Sequence, residues 1–225
     1  MENSRKNEYI MIVVINFLLV LYTSIFLYGS PYALYNPFSA HTLLSILGWT
    51  LYAGSLYLIL ARSEKGTETR QQQIVTALRI GAGTAVLKAA IDVLTNYLLS
   101  YIVPSNIIGT AVKGIRNGAL GFAFLYLLFR HFYKESGRTV KVSRKQKGAM
   151  AVLTVCYILA LILIRVKVML QLSALDSENM YAMYAYFMQG AAAGINEVNS
   201  INKWFFAVFM ILWWQIMRTC YIEGD

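Results

Sequence analysis

Four charged side chains stand where charges are costly. Lys88 and Asp92 fall in the middle of one apolar run (about 74–103), and Lys113 and Arg116 in the next (about 107–129). Lys88 and Asp92 are four residues apart, so on a helix they share a face, one turn from each other. Gly81, Thr84, Thr95 and Asn96 lie in the same stripe. On the second run Thr110, Lys113, Arg116 and Asn117 share a side. Gly114, Gly118 and Gly121 lie beside it, at a spacing that permits close helix approach. Pro104-Ser105-Asn106 reads as a tight turn between the two runs. In an antiparallel hairpin, residues equally far from the turn lie at the same depth. Asp92 is twelve residues before Pro104 and Arg116 twelve after it. The spacing therefore predicts that Asp92 faces Arg116, with Lys88 and Lys113 about a turn away on either side.

Energy decides where this face points. A charge at mid-helix costs about 2.5–3.5 kcal/mol on the membrane-insertion scale, against a gain of about 0.3–0.6 kcal/mol for each Leu or Ile. Charges facing lipid would cancel the apolarity of both helices, so they must face the bundle interior or a wet cavity. The set is also unbalanced: Lys88, Lys113 and Arg116 stand against Asp92 alone. Arg165 and Lys167, near the outer end of the run at about 148–170, add to the excess. Acids of the following segment (Asp176, Glu178, Glu197), a bound anion or lipid head group, or an acid on a partner protein would supply the missing charge. The competing, purely structural role is an ion pair that locks helices together. Arg79, Arg165 and Lys167 lie near enough to helix ends to snorkel.

Signatures of catalysis are missing. The chain has no HExxH, GxSxG, Walker loop or GxGxxG pattern. His41 and His131 are its only histidines, and Cys156 and Cys220 its only cysteines. No catalytic residue, metal ligand set or cofactor is therefore expected. Asp92 is the only acid well inside a predicted span, which leaves no carboxylate dyad.

The elements that must position these charges follow from composition. Hydrophobic residues make up 58% of the 225 residues and charged ones 14%, with a mean hydropathy of +0.52. A soluble domain carries roughly a quarter charged residues. The expected fold is all-α, a single membrane domain over 1–225 built as a polytopic transmembrane bundle. Spans are predicted at about 9–28, 42–61, 74–103, 107–129, 148–170 and 203–221. The first is too long for a typical signal peptide and reads as a retained helix. Between the fifth and sixth spans lies an outer segment, 171–202. Asp176-Ser177-Glu178 there looks like a helix start. The helix it opens, near 180–195, is interfacial, re-entrant or a seventh span.

The net charge is +9. In a soluble protein it would suggest nucleic acid, but here membrane sidedness accounts for it and no nucleic acid is expected. Arg5 and Lys6, then Arg62, Lys65 and Arg70, then the basic loop 130–147, then Arg218 all fall on one side. The opposite side carries only Lys203. The positive-inside rule places both termini in the cytoplasm of a multi-pass cell-membrane protein. Tyr28, Tyr101, Tyr133, Trp204 and Trp213 fit interface anchors.

The partners expected are membrane lipids, an anionic ligand, and a protein partner or a second copy of the chain. The leading function is a transport or channel-type protein with a cationic intramembrane site for an anionic small molecule or lipid head group. A non-catalytic membrane subunit of a larger complex is the alternative. An enzyme acting on a lipid-linked anionic substrate comes third.

Overall fold

An apolar run must close its backbone hydrogen bonds within itself, and a helix does so. The computed structural model describes residues 2–27, 39–63, 69–102, 107–133, 142–173 and 180–223. They form α1 (Glu2–Phe26), α2 (Ala40–Ser63), α3 (Arg70–Ile102), α4 (Ile107–Phe132), α5 (Arg144–Ser173) and α6 (Met180–Arg218), with a π-helical turn at Thr219–Glu223. No strand occurs among the described residues.

Polar caps set where three helices start. At α3 the Gln72 amide donates to Thr69 Oγ1 and the Thr69 amide donates back to Gln72 Oε1. Ser143 and Gln146 make the same reciprocal pair at α5. These are capping boxes, and they satisfy backbone donors that a helix start leaves open. Ser39 Oγ accepts from the Thr42 amide at the start of α2. The boxes carry α3 and α5 back by four residues beyond the apolar runs, to Arg70 and Arg144.

Four helices are long and apolar enough to cross a membrane: Lys6–Phe26, Ala40–Arg62, Arg70–Thr95 and Arg144–Gln171. In α1, α3 and α5 less than a fifth of the apolar span is buried by the rest of the protein, against half in α2. Their open faces carry Leu18, Ile25, Leu87, Leu94, Val152 and Leu163. Such faces suit lipid.

The two remaining helices, α4 and α6, pack against each other. α6 packs on α4, α5 and α1, and is the hub of the fold. α2 packs on α3 and α1. A helix facing protein on several sides need not be apolar all round, and α4 and α6 carry polar residues accordingly. The core between them is aromatic. Trp49, Phe124 and Phe206 meet around one point, and Phe129 meets Trp214 edge-on with ring centroids 5.1 Å apart.

The pairing of helices departs from the expected hairpin. α3 lies along α2 and touches α4 only sparsely. A side chain at Gly81 would strike the Thr50 carbonyl oxygen of α2, so this glycine sets the close α2–α3 crossing. Gly114, Gly118 and Gly121 face Asn202, Phe205 and Phe206 of α6.

The outer segment also differs. The backbone of α6 runs without a break through 196–202, so 180–195 is the first part of the last helix. It is not a separate helix. No Pro or Gly stands between Ile195 and Lys203 to end the helix. At about 1.5 Å per residue α6 is roughly 58 Å long. The basic loop 130–147 is likewise trimmed by helix at both ends. Asp176-Ser177-Glu178 and Pro104-Ser105-Asn106 lie outside the described residues.

Candidate functional site

Helix periodicity puts Lys88 and Asp92 one turn apart on α3, on the side that faces α2 and α4. Lys88 Nζ donates to Asp92 Oδ2 at 2.5 Å. From α4, Arg116 Nη2 stands 2.7 Å from Asp92 Oδ1. Asp92 and Arg116 therefore meet at one depth, as the count from Pro104 requires, although their helices hardly touch elsewhere. The Lys88 ammonium also lies over the Trp49 ring of α2, 5.6 Å from its centroid. A cation over an indole face is attracted by the ring quadrupole.

The cluster is enclosed but not sealed. Side-chain exposure is 14% for Lys88, 22% for Asp92 and 14% for Arg116. Arg116 Nη2 donates to Asn117 Oδ1 at 3.3 Å. Its Nε and Nη1 are buried and have no hydrogen-bond partner. Asp92 Oδ1 is close to Arg116 without hydrogen-bond alignment, so this contact is an ion pair and not a directed bond. Lys113 is half-buried one turn before Arg116, within Coulomb range of Arg116 and Asp92. Among the described residues no carboxylate lies within 4 Å of it. Three cations thus share one acid. Such an arrangement can hold an oxyanion, because guanidinium and ammonium groups bind oxygens by charge-assisted hydrogen bonds.

The secondary residues do not join this cluster. Lys167 of α5 pairs with Glu197 of α6 at 2.5 Å, with the two side chains 53% and 38% exposed. Glu197 is therefore engaged elsewhere and does not balance the excess. Arg165 is exposed, and Glu178 lies outside the described residues. Among the described residues, no three His, Cys, Asp or Glu side chains come together.

Other polar contacts tie the helices, and none was read from the sequence. Glu8 of α1 is only 4% exposed; it pairs with Arg218 of α6 and accepts from Trp214 Nε1 at 3.1 Å. Asn16, fully buried in α1, accepts from the Tyr52 hydroxyl at 2.9 Å and donates to the Ile12 carbonyl. Asn202 of α6 donates to the Thr110 carbonyl at 2.8 Å and accepts from the Tyr157 hydroxyl at 2.6 Å, so α4, α5 and α6 meet there. Lys203 is engaged too: it donates to the Thr23 carbonyl at 3.1 Å, near the end of α1. A cation at a helix C-terminus satisfies a leftover carbonyl and opposes the dipole. The signal for Asn16 was present, since it is the first polar residue in the run that begins at Tyr9. Glu8 gave less, because an acid next to a basic tail reads as solvated.

No protein-family model, no curated protein and no solved structure matches this chain, so what the cluster does must be argued from its own chemistry.

Proposed function

We propose that this is a six-span cell-membrane protein of transport or channel type. Its α3–α4 cluster is a cationic intramembrane site for an anionic small molecule or a lipid head group. The observation that carries the reading is Arg116, whose buried Nε and Nη1 have no hydrogen-bond partner beside a net excess of positive charge. Buried donors are nearly always satisfied in native proteins, and those that are not need a reason. A bound oxyanion supplies one. The counter-ion of Arg116, Asp92, lies with Lys88 within a candidate span, where charge is kept for function more often than for packing.

Same-side termini have support from the pairing of α1 with α6. Glu8 meets Arg218 near one end and Thr23 meets Lys203 near the other. Fifteen residues separate the two contacts on each helix, or roughly 22 Å of rise. Two antiparallel helices matched over that length fit spans of one bilayer, with the basic tails at the same face.

The test is native mass spectrometry of the full chain purified in mild detergent. The wild type should retain an anionic lipid or small anion. Lys113→Gln and Arg116→Gln should lose it while remaining folded and monodisperse. Retention unchanged in the double variant would remove the reading.

A second reading has its own observation. Arg79 and Arg165 are exposed, with no carboxylate within 4 Å among the described residues. In a non-catalytic subunit of a larger complex, a partner helix would supply the acids. The same spectra would then show one partner at fixed stoichiometry.

A further inference from the structure

We infer that Asp92 is a tethered competitor for the anion site. Its carboxylate occupies the flank of Arg116 that an incoming phosphate-type oxyanion takes, and the oxyanion enters by displacing it. This rests on the reading of the cluster as an anion site and adds how that site is regulated.

Three observations carry it. The first is the inequality of the two contacts made by Asp92. Oδ2 receives a hydrogen bond from Lys88 on its own helix, whereas Oδ1 meets Arg116 without hydrogen-bond alignment. Asp92 can leave Arg116 and still keep a cation. The second is Arg116 itself, anchored to Asn117 through Nη2 while Nε and Nη1 have no partner. It is held in place with donor capacity to spare.

The third is the packing of α3. Its close crossing with α2 lies at Gly81, towards the inner half. Further out, an open apolar groove of about 520 Å³ separates the start of α2 (Thr42, Ile46) from Ala89, Val93 and Tyr97 of α3. Contact with α4 is sparse. Parting Asp92 from Arg116 therefore breaks little else.

Charge names the ligand class. Displacement leaves Asp92 with Lys88, and the oxyanion with Arg116 and Lys113. A doubly charged phosphate monoester would bring the cluster of three cations and one acid to neutrality. Planar guanidinium geometry favours oxyanions over spherical anions. A free phosphate and the head group of a phosphatidic acid share this chemistry.

The experiment uses the full chain in mild detergent, with two probes. Inorganic phosphate is titrated calorimetrically, and phosphatidic acid is competed against phosphatidylcholine in native mass spectrometry. The variants are Asp92→Asn, Arg116→Gln and the charge-balanced Lys88→Gln/Asp92→Asn, which keeps the test open if the single change at Asp92 fails to fold. Removing an intramolecular competitor should tighten binding about tenfold in both Asp92 variants. Arg116→Gln should abolish it. Tightening for phosphate alone assigns a soluble oxyanion, and tightening for phosphatidic acid alone assigns a head group. Equal or weaker binding in the Asp92 variants, with binding still lost in Arg116→Gln, overturns the competitor role and leaves the anion site standing. Binding unaffected by Arg116→Gln, or no binding of either probe by any protein, overturns both.

Discussion

Two of the ion pairs that join helices in this molecule are built to opposite specifications. Near one end of the bundle, Glu8 meets Arg218 one to one, with the Trp214 indole donating to the second carboxylate oxygen. Between α3 and α4, one acid serves Lys88 and Arg116, Lys113 stands nearby, and Arg116 keeps two donors without hydrogen bonds. The first has the more deeply buried acid and is chemically matched. The second is more open and short of negative charge. A buried pair is tolerated when each charge has its counter-charge and its remaining hydrogen bonds. The Glu8 pair is matched charge for charge, with the Trp214 indole on its second oxygen, and reads as a lock. The α3–α4 cluster is not so matched, and on the proposed reading that shortfall is what an anion fills.

The comparison can be broken by measurement. Glu8→Gln removes a deeply buried carboxylate from its pairing with Arg218, and should cost about 3–5 kcal/mol. Thermal unfolding in detergent should show it as the largest drop of any single change here. Arg116→Gln should cost less, about 1–2 kcal/mol, because Asp92 retains Lys88. If Arg116→Gln proved as damaging as Glu8→Gln, both pairs would be locks and the contrast would collapse. Lys167→Gln removes an exposed pair and should cost under about 1 kcal/mol, shrinking further in high salt. A larger loss there would mean that α5 and α6 depend on that contact for their register.

What could be read beforehand follows a physical line. Helices come from apolar runs, and depth within a hairpin comes from counting, so Asp92 opposite Arg116 was within reach. Helix ends were harder, because Thr69–Gln72 and Ser143–Gln146 act through local hydrogen bonds and not through apolarity. Choice of neighbour was harder still. Gly81 and Gly114 both announce close approach, but a small residue does not say which helix approaches it. Here the answers are α2 and α6. The unbroken α6 escaped notice because polar Asn196, Glu197, Asn199 and Asn202 resemble a loop when read along the chain. In the folded bundle Glu197 faces Lys167, and Asn202 faces Thr110 and Tyr157.

The contact between Glu8 and Arg218 also has a schedule. The two residues are 210 positions apart, and α1 leaves the ribosome long before α6 exists. At about 5–20 residues per second, the acid waits roughly 10 to 40 s for its partner. During that interval an ionised Glu8 belongs at the wet surface of the membrane and not in the protein interior. Of the helices described, α1 is therefore among the last to reach its final rotation and depth, settling only once α6 has arrived to meet it.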